Sequence, residues 1–190
     1  MYERKDYYFN KAKKEGFRAR ASFKLLQINK KYDLIKKNDS VLDLGCAPGS
    51  WMQAVKKIQN GKGYILGIDI VPVKSIPDTD FILGDITKKE TLKDVKQKFN
   101  VVLSDMAPKT SGKKDIDVEL SIELSEKAFN TAKKYLKPKG NFLCKVFQGK
   151  GYEELLKKVK SQFEFAKTFI PPATRQGSKE VYIVAKGFKP

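Results

Sequence analysis

The stretch SVLDLGCAPGSW, residues 40–51, decides how the chain is read. Val41, Leu42 and Leu44 surround Asp43 in a short apolar run, bounded by KKND before it and APG after it, which is the pattern of a buried strand ending in a turn. WMQAVKKIQ, residues 51–59, then places apolar residues at helical spacing and stops at Asn60-Gly61. A strand, a glycine-containing turn and a helix in direct succession open an alternating α/β fold.

The alternation continues outward. Strands are expected at 63–70, 80–86, 100–108 and 141–147, and helices at 117–136 and 152–163. Residues 87–99, TKKETLKDVKQKF, read as a further amphipathic helix with Thr87 as its N-cap. Residues 165–171 and 180–188 read as closing strands separated only by PATRQGSK, so one of them is expected to run antiparallel. The sum is a Rossmann-like α/β domain: a mostly parallel seven-stranded sheet with one antiparallel strand and helices on both faces. Residues 1–35 read as one or two helices with Lys and Arg on one side, an extension of a single domain over 1–190.

Composition narrows the chemistry. The 190 residues carry 39 Lys and Arg against 22 Asp and Glu, a net charge of +17 that attracts polyanions, nucleic acid above all, although scattered lysines account for part of it. There is no histidine, so a His general base, a Ser-His-Asp triad and a His-ligated metal are excluded and no metal site is expected. Cys46 and Cys144 lie in separate strand-like runs, as free buried thiols do in a reducing, intracellular compartment. Cytoplasm, nucleus or an organelle all meet that expectation. No apolar run approaches a membrane span and the N-terminus has no signal core, so no membrane partner is expected.

In an open α/β sheet, ligands bind at the carboxyl ends of the strands. The first turn has Gly45 and Gly49 spaced GxxxG, not the GxGxxG of dinucleotide binding. Asp69 ends the second strand, 20 residues after Gly49, where an acid accepts hydrogen bonds from ribose hydroxyls. Asp85 and Ile86 end the third, where a carboxylate can bond an adenine amino group and an apolar side chain can pack on the ring. This suits an adenosine without a second nucleotide, and S-adenosylmethionine fits better than a nicotinamide cofactor. Helix-capping acids are the plainer alternative.

SVLDLGCAPGSW, GIDI, GDI, VVLSDMAPKTSG, FLCKVFQG and SKEVYIVAKGFK resemble, in this order, the FtsJ/RrmJ heat-shock methyltransferase family, and RARASFKLLQIN resembles its N-terminal signature. The resemblance implies a class I S-adenosylmethionine-dependent methyltransferase that modifies a ribose 2'-hydroxyl in RNA, closest to the branch acting on large-subunit ribosomal RNA in a ribosomal particle, and leaving S-adenosylhomocysteine. Its Lys-Asp-Lys-Glu set falls on Lys24, Asp105, Lys145 and Glu180. Its cofactor positions fall on Gly49, Trp51, Asp69, Asp85 and Asp105, with Gly45, Ala47, Pro48, Ile70 and Ile86 beside them. Asp43 is expected to be structural or to face the methionine end of the cofactor.

The ribose hydroxyl is a very weak acid and must lose its proton as the new bond forms. Lys145, at a strand end, is the candidate base if held neutral, and Lys24 supplies a second charge that favours that form. Asp105 and Glu180 push the other way, so a charged Lys145 that orients the oxygen stays open. Arg18, Arg20, Lys24, Lys109 and Arg175 are the expected RNA contacts. Tyr7, Tyr8, Phe9 and Phe17 are expected to pack more than to stack bases. A monomer is expected. A transfer-RNA or cap ribose methyltransferase, a non-catalytic RNA-binding protein on the same fold, and a nucleotide-dependent oxidoreductase are the competing readings.

Overall fold

The computed structural model describes residues 3–109 and 111–190. Two helices, α1 (Glu3–Lys14) and α2 (Ala21–Tyr32), precede the sheet. The strands are β1 (Ser40–Leu44), β2 (Tyr64–Asp69), β3 (Asp80–Leu83), β4 (Phe99–Ser104), β5 (Leu136–Phe147), β6 (Phe163–Phe169) and β7 (Glu180–Phe188). Between them lie α3 (Ser50–Gln59), α4 (Lys114–Tyr135) and α5 (Tyr152–Gln162).

The seven strands stand in the order β3-β2-β1-β4-β5-β7-β6. Neighbours from β3 to β5 pair in parallel, and β7 is antiparallel to both β5 and β6. The short link between β6 and β7 cannot return the chain to the starting end of the sheet, which is why β7 reverses. From β1 the order runs outward one way through β2 and β3 and the other way through β4 and β5. The carboxyl ends of these strands therefore border one crevice.

Successive strand residues face opposite sides. Leu42, Leu44, Val102 and Phe142 pack with Ala128, Phe129 and Leu155 of α4 and α5. Val41, Val101, Leu103, Leu143 and Tyr182 pack with Leu25, Ile28, Trp51 and Val55 of α2 and α3. Each Val, Leu, Ile or Phe among them contributes about 1.5–3 kcal/mol by leaving water. Among the described residues no helix is long and apolar enough to cross a membrane.

Two expectations are corrected. Residues 87–99 do not form an amphipathic helix; only a 3-10 turn, Lys89–Leu92, is helical. Thr87 is not a cap. Its backbone N–H donates to Asp85 Oδ1 at 2.8 Å, and the Thr91 hydroxyl donates to the Asp85 carbonyl at 2.6 Å. A turn suffices to bury Leu92, and Phe99, expected at a helix end, opens β4 fully buried. The helix expected to run to 136 stops at Tyr135, and the strand expected from 141 starts earlier. β5 begins at Leu136, pairs with Phe99, then shifts register before Val101 meets Asn141.

Candidate active site

A cavity of about 640 Å³ opens at the carboxyl ends of β1–β4. Of the residues expected at the cofactor, Gly45, Ala47, Asp69, Ile70, Asp85, Ile86 and Asp105 line it, joined by Ile68, Met106, Lys109 and Leu124. Gly45 has φ +73°, and a Cβ there would run into the Met106 side chain, so the first turn lies directly against the segment leaving β4. Asp69 braces the wall: Oδ2 accepts the Ala47 N–H and Oδ1 the Val71 N–H, both at 2.8 Å. A carboxylate oxygen has room for a second donor, so ribose hydroxyls can still be received. Asp85, held ionised below the usual carboxylate range chiefly by the Thr87 N–H, stands beside apolar Ile86. Two carboxylate acceptors on a largely apolar wall fit an adenosine-bearing cofactor.

Pro48, Gly49 and Trp51 do not line this cavity. Trp51 is buried, and its indole N–H donates to the Ala21 carbonyl at 2.9 Å, which fastens α3 to α2. Gly49, φ +100°, is the residue preceding α3, and its left-handed backbone turns the chain into that helix.

Beside the cavity, the structure brings together the four residues of the expected reactive set. Lys145 Nζ lies 3.0 Å from Asp105 Oδ1 and donates to the Asp105 carbonyl oxygen at 2.6 Å. Lys24 Nζ, from α2, lies 2.6 Å from Glu180 Oε1 at the start of β7. Lys145 is 8% exposed along its side chain and Lys24 13%, so these are shielded ion pairs. The register explains the convergence. Lys145 stands opposite Tyr182, and Phe147 opposite Glu180, so Lys145, Tyr182 and Glu180 share one face of the sheet.

Tyr182 was not among the expected site residues. Its hydroxyl donates to Asp105 Oδ1 at 2.9 Å, the oxygen that also receives Lys145. Its ring lies 5.9 Å from Lys24 Nζ and 5.9 Å from the Trp51 ring. Burial above all, then the charges of Asp105 and Glu180, pushes the phenol well above its ordinary value, so it remains a donor. A tyrosine two residues after Glu180 in an apolar strand was the available signal. Asp43 was singled out, and it is wholly buried in β1, with neither carboxylate oxygen hydrogen-bonded among the described residues.

An FtsJ-like methyltransferase family model matches residues 17–188. The chain belongs to the FtsJ-like methyltransferase family. Its relatives include a protein named ribosomal RNA large subunit methyltransferase E from Methanosarcina acetivorans, 46% identical over 191 residues, 98% of this chain and 70% of that one. The Archaeoglobus fulgidus protein of the same name is 44% identical over 192 residues, 100% of this chain and 99% of that one. Among solved structures, a ribosomal RNA methyltransferase, putative, from Plasmodium falciparum superposes with a TM-score of 0.81 at 32% identity, covering 90% of this chain and 98% of that one. Aeropyrum pernix fibrillarin, solved with natively bound S-adenosyl-L-methionine, shares the fold at a TM-score of 0.64 and 17% identity, over 88% of this chain and 74% of that one.

This FtsJ-like methyltransferase spreads its expected RNA contacts unevenly. Lys109 is exposed at the cavity rim and Arg175 on the loop before β7. Arg20 donates to the Ala173 carbonyl at 2.9 Å and lies near Arg175, whose charge adds to burial in holding Arg20 below the usual guanidinium value. Arg18 is engaged elsewhere, on three backbone carbonyls. Tyr8 and Phe17 pack on Phe23, as expected, while Tyr7 and Phe9 are exposed. Among the described residues no cluster of three or more His, Cys, Asp or Glu could hold a metal ion.

Proposed function

We propose that this FtsJ-like methyltransferase methylates a ribose 2'-hydroxyl of large-subunit ribosomal RNA, with S-adenosylmethionine as donor. The observation that carries the reading is the pairing of Lys145 with Asp105 and of Lys24 with Glu180 at the mouth of an adenosine-sized cavity. The names of its relatives support the substrate class. The bound cofactor supplies an electrophilic methyl group on a sulfonium. Asp69 and Asp85 would receive its ribose and adenine ends, with Ile70 and Ile86 as the apolar surface beside them.

Lys145 is the group set to meet the acceptor oxygen. Its bonds to two oxygens of Asp105 support the form in which an ammonium holds and orients the 2'-oxygen, the hydroxyl proton leaving late to solvent. Lys24, held by Glu180, places a second positive charge where negative charge develops on that oxygen. Holding the reactants in line accounts for much of the acceleration. Two buried, separate thiols support action in a reducing compartment. The protein is read as a monomer acting on a ribosomal particle.

The test is methylation of large-subunit ribosomal RNA with labelled cofactor, followed by mapping of the alkali-resistant linkage. Lys145→Ala is expected to lower the rate at least about 100-fold, with affinity for S-adenosylhomocysteine retained. Label found only on bases, or full activity in Lys145→Ala, overturns the reading.

A further inference from the structure

Arg18 belongs to the basic N-terminal segment, yet its half-buried guanidinium is bonded to the protein's own backbone. Nη1 donates to the carbonyls of Pro48 at 2.9 Å and Lys74 at 2.7 Å, and Nη2 donates to the carbonyl of Ser75 at 3.0 Å. Pro48 lies in the turn that joins β1 to α3. Lys74 and Ser75 lie in the segment that leaves β2, whose first residues, Ile70 and Val71, line the cavity. The fork therefore bridges two segments that border the adenosine-sized space. Its contact with the turn is close: a Cβ on Gly49 would fall 2.8 Å from Arg18 Nη1.

The backbone of the same residue is fixed as well. Arg18 N–H donates to Gln53 Oε1 at 2.8 Å, and Gln53 Nε2 donates to the Gly16 carbonyl at 3.0 Å. One residue of α3 thus docks residues 16–18, and those residues hold the turn that starts α3.

We infer that Arg18 is a positioning residue that clasps the cofactor turn to the segment after β2, and is not a phosphate contact for RNA. A planar guanidinium reaches three carbonyls in fixed directions; an ammonium carries the same charge but cannot reproduce that fork. Loss of the clasp frees the turn that carries the Ala47 N–H, the donor that fixes Asp69. Cofactor affinity therefore depends on Arg18, and RNA affinity does not. The inference rests on the cavity being the S-adenosylmethionine site.

The experiment compares wild type, Arg18→Lys, Arg18→Met and Gln53→Leu. Calorimetry measures S-adenosylhomocysteine binding, and filter binding measures affinity for a large-subunit ribosomal RNA transcript across a salt series. Both Arg18 variants are expected to bind S-adenosylhomocysteine about tenfold or more weakly, with no rescue by lysine, and to keep the RNA affinity and its salt slope. A phosphate contact gives the reverse: cofactor affinity unchanged, RNA affinity lowered, the slope reduced by about one, and rescue by lysine. That result overturns the clasp. Gln53→Leu keeps the arginine but removes the two bonds that dock residues 16–18, so the guanidinium loses its anchorage at the turn, and the variant is expected to bind S-adenosylhomocysteine more weakly with RNA affinity unchanged. Unchanged cofactor affinity in Gln53→Leu overturns the clasp even where an Arg18 variant fails to fold. A wild type with no affinity for S-adenosylhomocysteine fails the cofactor reading itself, whereas variants that match a binding wild type fail only the clasp.

Discussion

At the scale of single residues, Tyr182 joins what the two ion pairs leave separate. Its phenol and Lys145 meet on one oxygen of Asp105, and its ring lies beside Lys24. Tyr182→Phe keeps the buried ring and removes only the donor, so Asp105 loses the bond that fixes its orientation toward Lys145. A hydrogen bond to a charged group contributes about 1.5–3 kcal/mol. Single-turnover rates are accordingly expected to fall about 10- to 100-fold, with RNA and S-adenosylhomocysteine affinities unchanged; an unchanged rate, or a loss confined to binding, sinks this role. Asp43 makes a second prediction. Burial first, then the charges of Asp105 and Asp69, pushes its carboxyl well above the carboxylate range, so folding favours its protonated form. A raised native value means that its contribution to stability is complete below the unfolded-state value near ~4 and is lost as pH rises toward the native value. Asp43→Asn keeps the shape and cannot ionise. In cofactor-free protein its thermal midpoint is expected to gain on wild type as pH rises above the unfolded-state value, by about 2–4 °C for each kcal/mol of stability that wild type loses. A pH-independent difference between the two proteins rules this out.

At the scale of elements, what was legible followed local pattern. β1 and α3 announced themselves through Asp43 between apolar residues, the Gly45–Gly49 turn and the stop at Asn60, and the structure ends α3 at Gln59. The missing helix before β7 disclosed the reversal of that strand. The segment 87–99 misled because its apolar spacing is helical, while the fold asks only for a turn that buries Leu92 and delivers Phe99 to β4. Tertiary packing there outweighs periodicity. The site was legible in part. Asp69 and Asp85 stand at strand ends, where topology alone points. Lys24 and Glu180 are 156 residues apart, and nothing local links them; the motif resemblance did so, and the 2.6 Å pair bears out their proximity. The family resemblance put Trp51 at the cofactor, and the basic N-terminal segment put Arg18 at the RNA. What they touch, the Ala21 carbonyl and the carbonyls of Pro48, Lys74 and Ser75, depends on how α2 and the segment after β2 pack, which no local pattern encodes.

At the scale of the whole molecule, the net charge is +17, and the cavity is lined by three aspartates and by Lys109 and Lys127. Asp69, Asp85 and Asp105 line the cavity, while Lys109 stands at its rim and Arg175 on the loop before β7. Acidic walls suit a cationic cofactor, and a basic exterior suits a polyanion, so the two ligands should respond to salt differently. Each phosphate neutralised by a cation adds about −0.7 for single-stranded or −0.9 for duplex nucleic acid to the slope of log affinity against log salt. With three or more such contacts, raising salt from about 50 to about 200 mM is expected to weaken RNA binding roughly tenfold or more. Binding of S-adenosylhomocysteine, which releases no phosphate counterions, is expected to change little over the same range. Lys109→Ala and Arg175→Ala are each expected to flatten the RNA slope by about one contact's share without changing cofactor affinity. Filter binding of a ribosomal RNA transcript across the salt series, beside calorimetry of S-adenosylhomocysteine, measures both. Equal salt slopes for the two ligands would mean that the surface excess of lysine serves solubility and not recognition, and would place the RNA interface away from the cavity rim.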